Sequence, residues 1–121
     1  MSQNVVFSYL YRDAANNKAW SRLVLTNPSN MSINEVEERL RLVLESENLF
    51  VADQVRVQEV FHYLSADVTE DDHSYHEFES VESTEEAPND VYGRSISQFV
   101  EEVEAVARTG WRIFDPEERM Q

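Results

Sequence analysis

Two segments of this chain open on the same helix-start signal, while the stretches around them alternate with a period of two. Together these patterns commit the chain to helices packed on a sheet. Ser32 with Glu35, and Ser95 with Gln98, have the spacing of a capping box, in which the serine oxygen takes a free amide of the first turn and the longer side chain reaches back. Behind the first box, Ile33, Val36, Leu40, Val43 and Leu44 recur on one face and leave Glu37, Glu38, Arg39 and Arg41 to water. Behind the second, Ile96, Phe99, Val100, Val103, Val106 and Ala107 trace an apolar face, and Gly110 stands where a helix ends on a left-handed residue.

Val5, Phe7, Tyr9 and Tyr11 alternate with Val6, Ser8, Leu10 and Arg12, which predicts a strand. The polar run Asp13 to Lys18 is a turn, and Trp20 to Leu25 returns as a second strand of a hairpin. Asn27 to Asn30 breaks the sheet, Leu49 to Val51 forms a short buried strand, and Tyr75 to Val81 alternates as a strand with one exposed face. Val55 to Phe61 is apolar without a clear period, and 83–92 is an exposed acidic loop. Trp111, Ile113 and Phe114 return to the core, and 116–121 is a frayed tail. The expected fold is α+β, one domain over 1–121, with an antiparallel sheet of about four or five strands and two packed helices.

Composition narrows what such a domain does. At 121 residues it suits a single core, and a chain of that size buries roughly two thirds of its unfolded surface. A hydrophobic share of 41% and an aromatic share of 11% exclude a disordered chain. No run approaches the roughly 20 apolar residues of a membrane span, and the first residues lack a signal-peptide pattern, so the expected compartment is cytoplasmic. Zero Cys excludes disulfides and thiolate chemistry. Gly93 and Gly110 are the only glycines, so a glycine-rich phosphate loop is excluded as well.

The net charge of −14 is concentrated in one place. Residues 57–93 carry 11 acids and no Lys or Arg, against 7 acids and 6 bases before them and 6 acids and 4 bases after. Such a field repels nucleic acid and anionic membrane and speeds encounter with basic proteins and cations. The stretch is either a binding face for a basic protein or a solubilising surface.

Catalytic signals are sparse. Asp71, Asp72, His73, Tyr75, His76 and Glu77 form the densest cluster of metal-ligating and proton-transferring types. On a strand, however, His73 and His76 point to opposite faces. His62 lies in an apolar stretch and reads as a hydrogen-bonded core residue, and no serine has the context of a nucleophile elbow. An anionic ligand would need several of the ten basic residues to converge. Arg12, Arg22, Arg56, Arg94, Arg108 and Arg112 lie at ends of predicted elements, although structural salt bridges are the commoner use of arginine.

Three stretches carry a family likeness: Tyr9 to Asn16 (YLYRDAAN), Phe50 to Val55 (FVADQV) and Asp72 to Phe78 (DHSYHEF). The chain resembles a family of short acidic proteins of bacteria, prophages and phages. Within it the likeness is to the first-described Thoeris anti-defence proteins, phage-encoded sponges that sequester a cyclic ADP-ribose immune signal. The resemblance implies a homo-oligomer without a cofactor that captures a cyclic nucleotide and does not cleave it. It implies an aromatic ring against the base (Phe78), an amide reading a polar edge (Asn89) and arginines on phosphates (Arg22, Arg56 and Arg108). Two other classes stay open: an acidic inhibitor or immunity protein that covers a basic surface through 57–93, and a metal-dependent enzyme built on Asp72, His73, His76 and Glu77.

Overall fold

The computed structural model describes residues 3–120. Strands β1 (Asn4–Arg12) and β2 (Lys18–Leu25) form the hairpin, followed by helix α1 (Ile33–Val43), the two-residue strand β3 (Leu49–Phe50), strand β4 (His76–Thr84), helix α2 (Ile96–Thr109) and a short helix α3 (Pro116–Arg119). The sheet is antiparallel with the order β2-β1-β4-β3. The α+β expectation holds, with four strands, and α1 and α2 pack on each other.

Register explains which side chains are inside. Phe7 lies across from Leu23 on one side and Val81 on the other, and Tyr9 lies across from Ser21 and Phe78. This face meets Val36 and Leu40 of α1 and Ile96, Phe99, Val100 and Val103 of α2 in one apolar core. Phe7 is its hub, stacked on Phe78 at 5.3 Å and edge-on to Phe50 and Phe99, a geometry that adds to the burial itself. Between Ser8 and Tyr9 the pairing with β4 shifts by one residue, because Glu79 is inserted between Phe78 and Ser80 as a bulge. On the opposite face Val6, Leu10 and Val24 are also buried, yet they belong to neither apolar core cluster.

The capping boxes differ. At α2 both halves form: Ser95 Oγ accepts from the Gln98 amide and Gln98 Oε1 accepts from the Ser95 amide. At α1 only the serine half forms, and Glu35 turns outward to Arg39. Gly110 closes α2 at φ 106 and ψ 139, which is outside the left-handed helical well expected for it and is open essentially to glycine alone. The tail also departs from expectation. Asp115 caps the α3 turn, and Arg119 pairs with Glu59 at 2.5 Å and lies over the Phe114 ring. Phe114 in turn packs on a second cluster of Tyr11, Phe61 and Tyr63. Gln121 lies outside the described residues.

The 85–92 segment runs along the outer rim of β2. Asn89 Oδ1 accepts from the Val24 amide at 2.7 Å, the Asn89 amide donates to the Val24 carbonyl at 3.1 Å, and Asn89 Nδ2 donates to the Arg22 carbonyl at 3.3 Å. One residue thereby stands in for a fifth strand. Nearer Lys18 the rim carries no such partner among the described residues.

Candidate functional site

Three segments far apart in sequence meet beside β2. Ser21 to Leu23, Arg56 to Gln58 and Asn89 to Val91 line a cavity of about 120 Å³, with Tyr9 at its base. Each segment has a local reason to be there. Arg56 ends the 3₁₀ turn Ala52–Val55 in the left-handed conformation (φ 57), with its amide bonded back to Ala52 and Asp53. Asn89 is fixed by its three bonds to β2. The Tyr9 hydroxyl donates to the Gln58 carbonyl at 2.7 Å. Burial raises its pKa, and bonds to Ser21 and Gln58 offset part of that shift.

Arg94 ties these walls together. Its guanidinium donates to the carbonyls of Val55 (2.7 Å) and Arg56 (2.8 Å) and to both carboxylate oxygens of Asp90 (2.9 and 3.1 Å). Both side chains are buried, at 5% and 3% exposure. Burial works to raise the Asp90 pKa, but the Arg94 bonds and charge outweigh it and hold the group below the usual carboxylate range.

Both arginines that line the cavity grip a carboxylate with two prongs, but the register turns the Arg22 side chain to the sheet face of Val6 and Glu82, away from the helices, while Arg56 reaches toward α2. Arg22 holds Glu86 at 3.0 and 2.5 Å, and Arg56 holds Glu102 at 2.9 and 2.5 Å. These contacts raise the pKa of both arginines and lower those of Glu86 and Glu102. Arg56 also lies 4.4 Å from the Tyr92 ring centre, and that ring is 54% exposed.

Of the five residues implied as ligand-binding, the structure brings together Arg22, Arg56 and Asn89. Phe78 is elsewhere: it is 2% exposed in the apolar core, with Arg41 4.8 Å from its ring centre. Its position on β4, across from Tyr9, sends it inward. Arg108 is exposed at the far end of α2, beside Leu42, Val43 and Glu104. The exposed aromatic next to the cavity is Tyr92, which sequence reasoning passed over. The signal available for it was a lone ring in a polar loop, directly before Gly93 and Arg94.

The histidine cluster is engaged in structural bonds. His73 places Nε2 2.7 Å from the Arg12 carbonyl, and its Nδ1 accepts from the Tyr75 amide at 3.0 Å. His76 is fully buried, and its Nε2 accepts from the Val60 amide at 2.9 Å. Burial, with lesser contributions from His73 and Arg119, pushes its pKa down to about 3. Asp72 accepts from the Tyr11 hydroxyl at 2.6 Å, and His62 sits 2.9 Å from the Asn17 carbonyl. Among the described residues no group of three His, Asp or Glu side chains is placed to hold a metal ion.

Charge is distributed unevenly over the surface. Among the described residues, seven of the ten basic side chains are in ion pairs. Of the 11 acids in 57–93, only Glu59, Glu77, Glu86 and Asp90 have an arginine partner among the described residues. Among the described residues no helix is long and apolar enough to cross a membrane. No family model, curated protein or solved structure matches the chain.

Proposed function

We propose that the protein is a non-enzymatic binder that sequesters a phosphate-bearing cyclic nucleotide, with a phosphate group seated at Arg56. The supporting observation is the meeting of three separate segments, 21–23, 56–58 and 89–91, around one concavity of a strongly anionic molecule, with the exposed Tyr92 ring 4.4 Å from the Arg56 guanidinium beside it. Guanidinium forks match pairs of phosphate oxygens. A volume of about 120 Å³ admits a phosphate group. Whole-ligand pockets run to roughly 300 Å³ or more, so sugar and base lie on the rim, where Tyr92 offers a stacking face. The family resemblance points to the cyclic ADP-ribose class, to an anti-defence role in phage-infected cells and to a homo-oligomer.

Calorimetric titration with cyclic ADP-ribose tests this reading. The expected result is saturable binding, intact ligand recovered on heating, and about ten- to hundred-fold weaker binding in Arg56→Ala, the range for losing charge-assisted bonds. No heat and no thermal shift at millimolar ligand would remove the proposal.

A second reading rests on the seven acids in 57–93 without an arginine partner: docking of a basic protein surface on that stretch. Such binding would weaken steeply with salt, survive Arg56→Ala and fade when Glu82 and Glu85 are neutralised. Capture that ignored both salt and those two glutamates would exclude it.

A further inference from the structure

We infer that the uncovered rim of β2 takes up an extended segment of a partner protein as a further antiparallel strand, with an apolar residue of that segment opposite Trp20 and an acidic one opposite Lys18. Asn89 shows which groups the rim offers. It bonds to both the amide and the carbonyl of Val24 and to the carbonyl of Arg22, so the even-numbered residues of β2 turn their backbone groups away from β1. By the same alternation the N–H and C=O of Lys18 and Trp20 and the N–H of Arg22 point outward, and none of them has a hydrogen-bond partner among the described residues. Asn89 also sets one end of the added strand, because it already holds the Arg22 carbonyl and covers Val24.

The side chains of this stretch say what fits. Lys18, Trp20 and Arg22 share the sheet face that carries Val6 and Leu10, opposite the helices. Trp20 is 55% exposed between the two cations. Arg22 already holds Glu86, whereas Lys18 has no ion pair among the described residues. In an antiparallel pair the residue facing Lys18 follows the one facing Trp20 by two places, so the partner reads apolar, any residue, acidic. Aromatic with β-branched and opposite-charge cross-strand pairs favour that match, and backbone bonds with alternating side-chain contacts are how strand addition recognises a peptide. A second copy fits poorly. The one twofold register that uses all three positions centres on Trp20 and sets Lys18 against Arg22 of the other copy, a like-charge pair. Registers centred on Ala19 or Ser21 run into the turn at Asn16 or the Asn89 cover.

The test is fluorescence anisotropy of the labelled hexapeptide Ser-Thr-Val-Thr-Glu-Thr with the wild-type chain and with Lys18→Glu, Trp20→Ala and Arg56→Ala, each checked by a thermal melt. Saturable binding is expected in the wild type and in Arg56→Ala, which leaves the rim intact, and weaker binding in Trp20→Ala. N-methylation of the valine amide, which removes its bond to the Trp20 carbonyl, should weaken binding about ten-fold, while N-methylation of the threonine that follows, whose amide faces away, should change it little. Lys18→Glu should lose about two- to five-fold, the range of an exposed ion pair, and regain it with lysine in place of the peptide glutamate. No binding at millimolar peptide, equal binding of the two methylated peptides, or a charge exchange that is not reciprocal overturns the proposal. So does sedimentation of the wild type as a dimer that becomes a monomer in Trp20→Glu, which assigns the rim to a second copy.

Discussion

A guanidinium with 5% of its side chain exposed must find an acceptor for every N–H it buries, and Arg94 finds Asp90 and two backbone carbonyls. Arg94→Met would strand the Asp90 carboxylate and cost about 3–5 kcal/mol, whereas Asp90→Asn combined with Arg94→Met should recover most of that loss. Urea unfolding of the two variants measures the difference. His76 makes a prediction of the same kind. Its folded pKa of about 3 lies below its ordinary 6.5, so between those values the unfolded chain binds more protons than the folded one. The stability it contributes is complete above about pH 6.5 and lost as pH falls toward about 3, at up to about 1.4 kcal/mol per unit. Denaturant midpoints at pH 7 and pH 5 should differ in the wild type and differ less in His76→Phe. The stability contributed by the depressed carboxylates Glu86, Asp90 and Glu102 is complete above the usual carboxylate range and is lost only as pH falls below it, outside the window between pH 7 and pH 5. A flat wild-type profile would show that His76 is not a buried neutral group.

Among the elements, α2 is the best specified. Its complete capping box predicts that Ser95→Ala lowers stability by about 1 kcal/mol, and Ser32→Ala at the half-formed box of α1 by less. Thermal melts of the pair check the order. Helices α1 and α2 and all four strands were legible because their signals are local: apolar spacing, a serine cap, alternation, a short buried run. The rest was not, for reasons visible in particular residues. Glu35 has the right spacing to reach back, but Arg39 lies one turn on and takes its carboxylate instead. Arg56 takes a left-handed conformation that no glycine or asparagine at that position announces. The last residues read as a loose end because the partners that fasten them, Glu59 and the Phe61 cluster, lie half a chain away.

At the scale of the whole molecule, local ion pairs settle most of the cationic charge while the acidic excess stays on the outside. Self-repulsion of that excess opposes compaction, so moderate sodium chloride should raise the melting temperature, and a fall with salt would contradict it. The candidate site belongs to this scale as well. Residues 22, 56 and 89 carry no common motif, and only the closure of the sheet, the turn before Arg56 and the loop held by Asn89 bring them together. The same closure takes Phe78 away, since an aromatic that alternates on a strand is assigned to a face only when the helices show which side they cover.

One rim of the sheet remains half sealed. Asn89 covers β2 at Val24 and Arg22, but the stretch from Lys18 to Ser21 meets water with Trp20 55% exposed. Bare β-backbone next to a large ring is a template for runaway fibre growth, and the side chains that deter it here are Lys18 and Arg22. These two cations thereby act as solubility gatekeepers, and replacing both with threonine would give a chain that folds as before and deposits on standing.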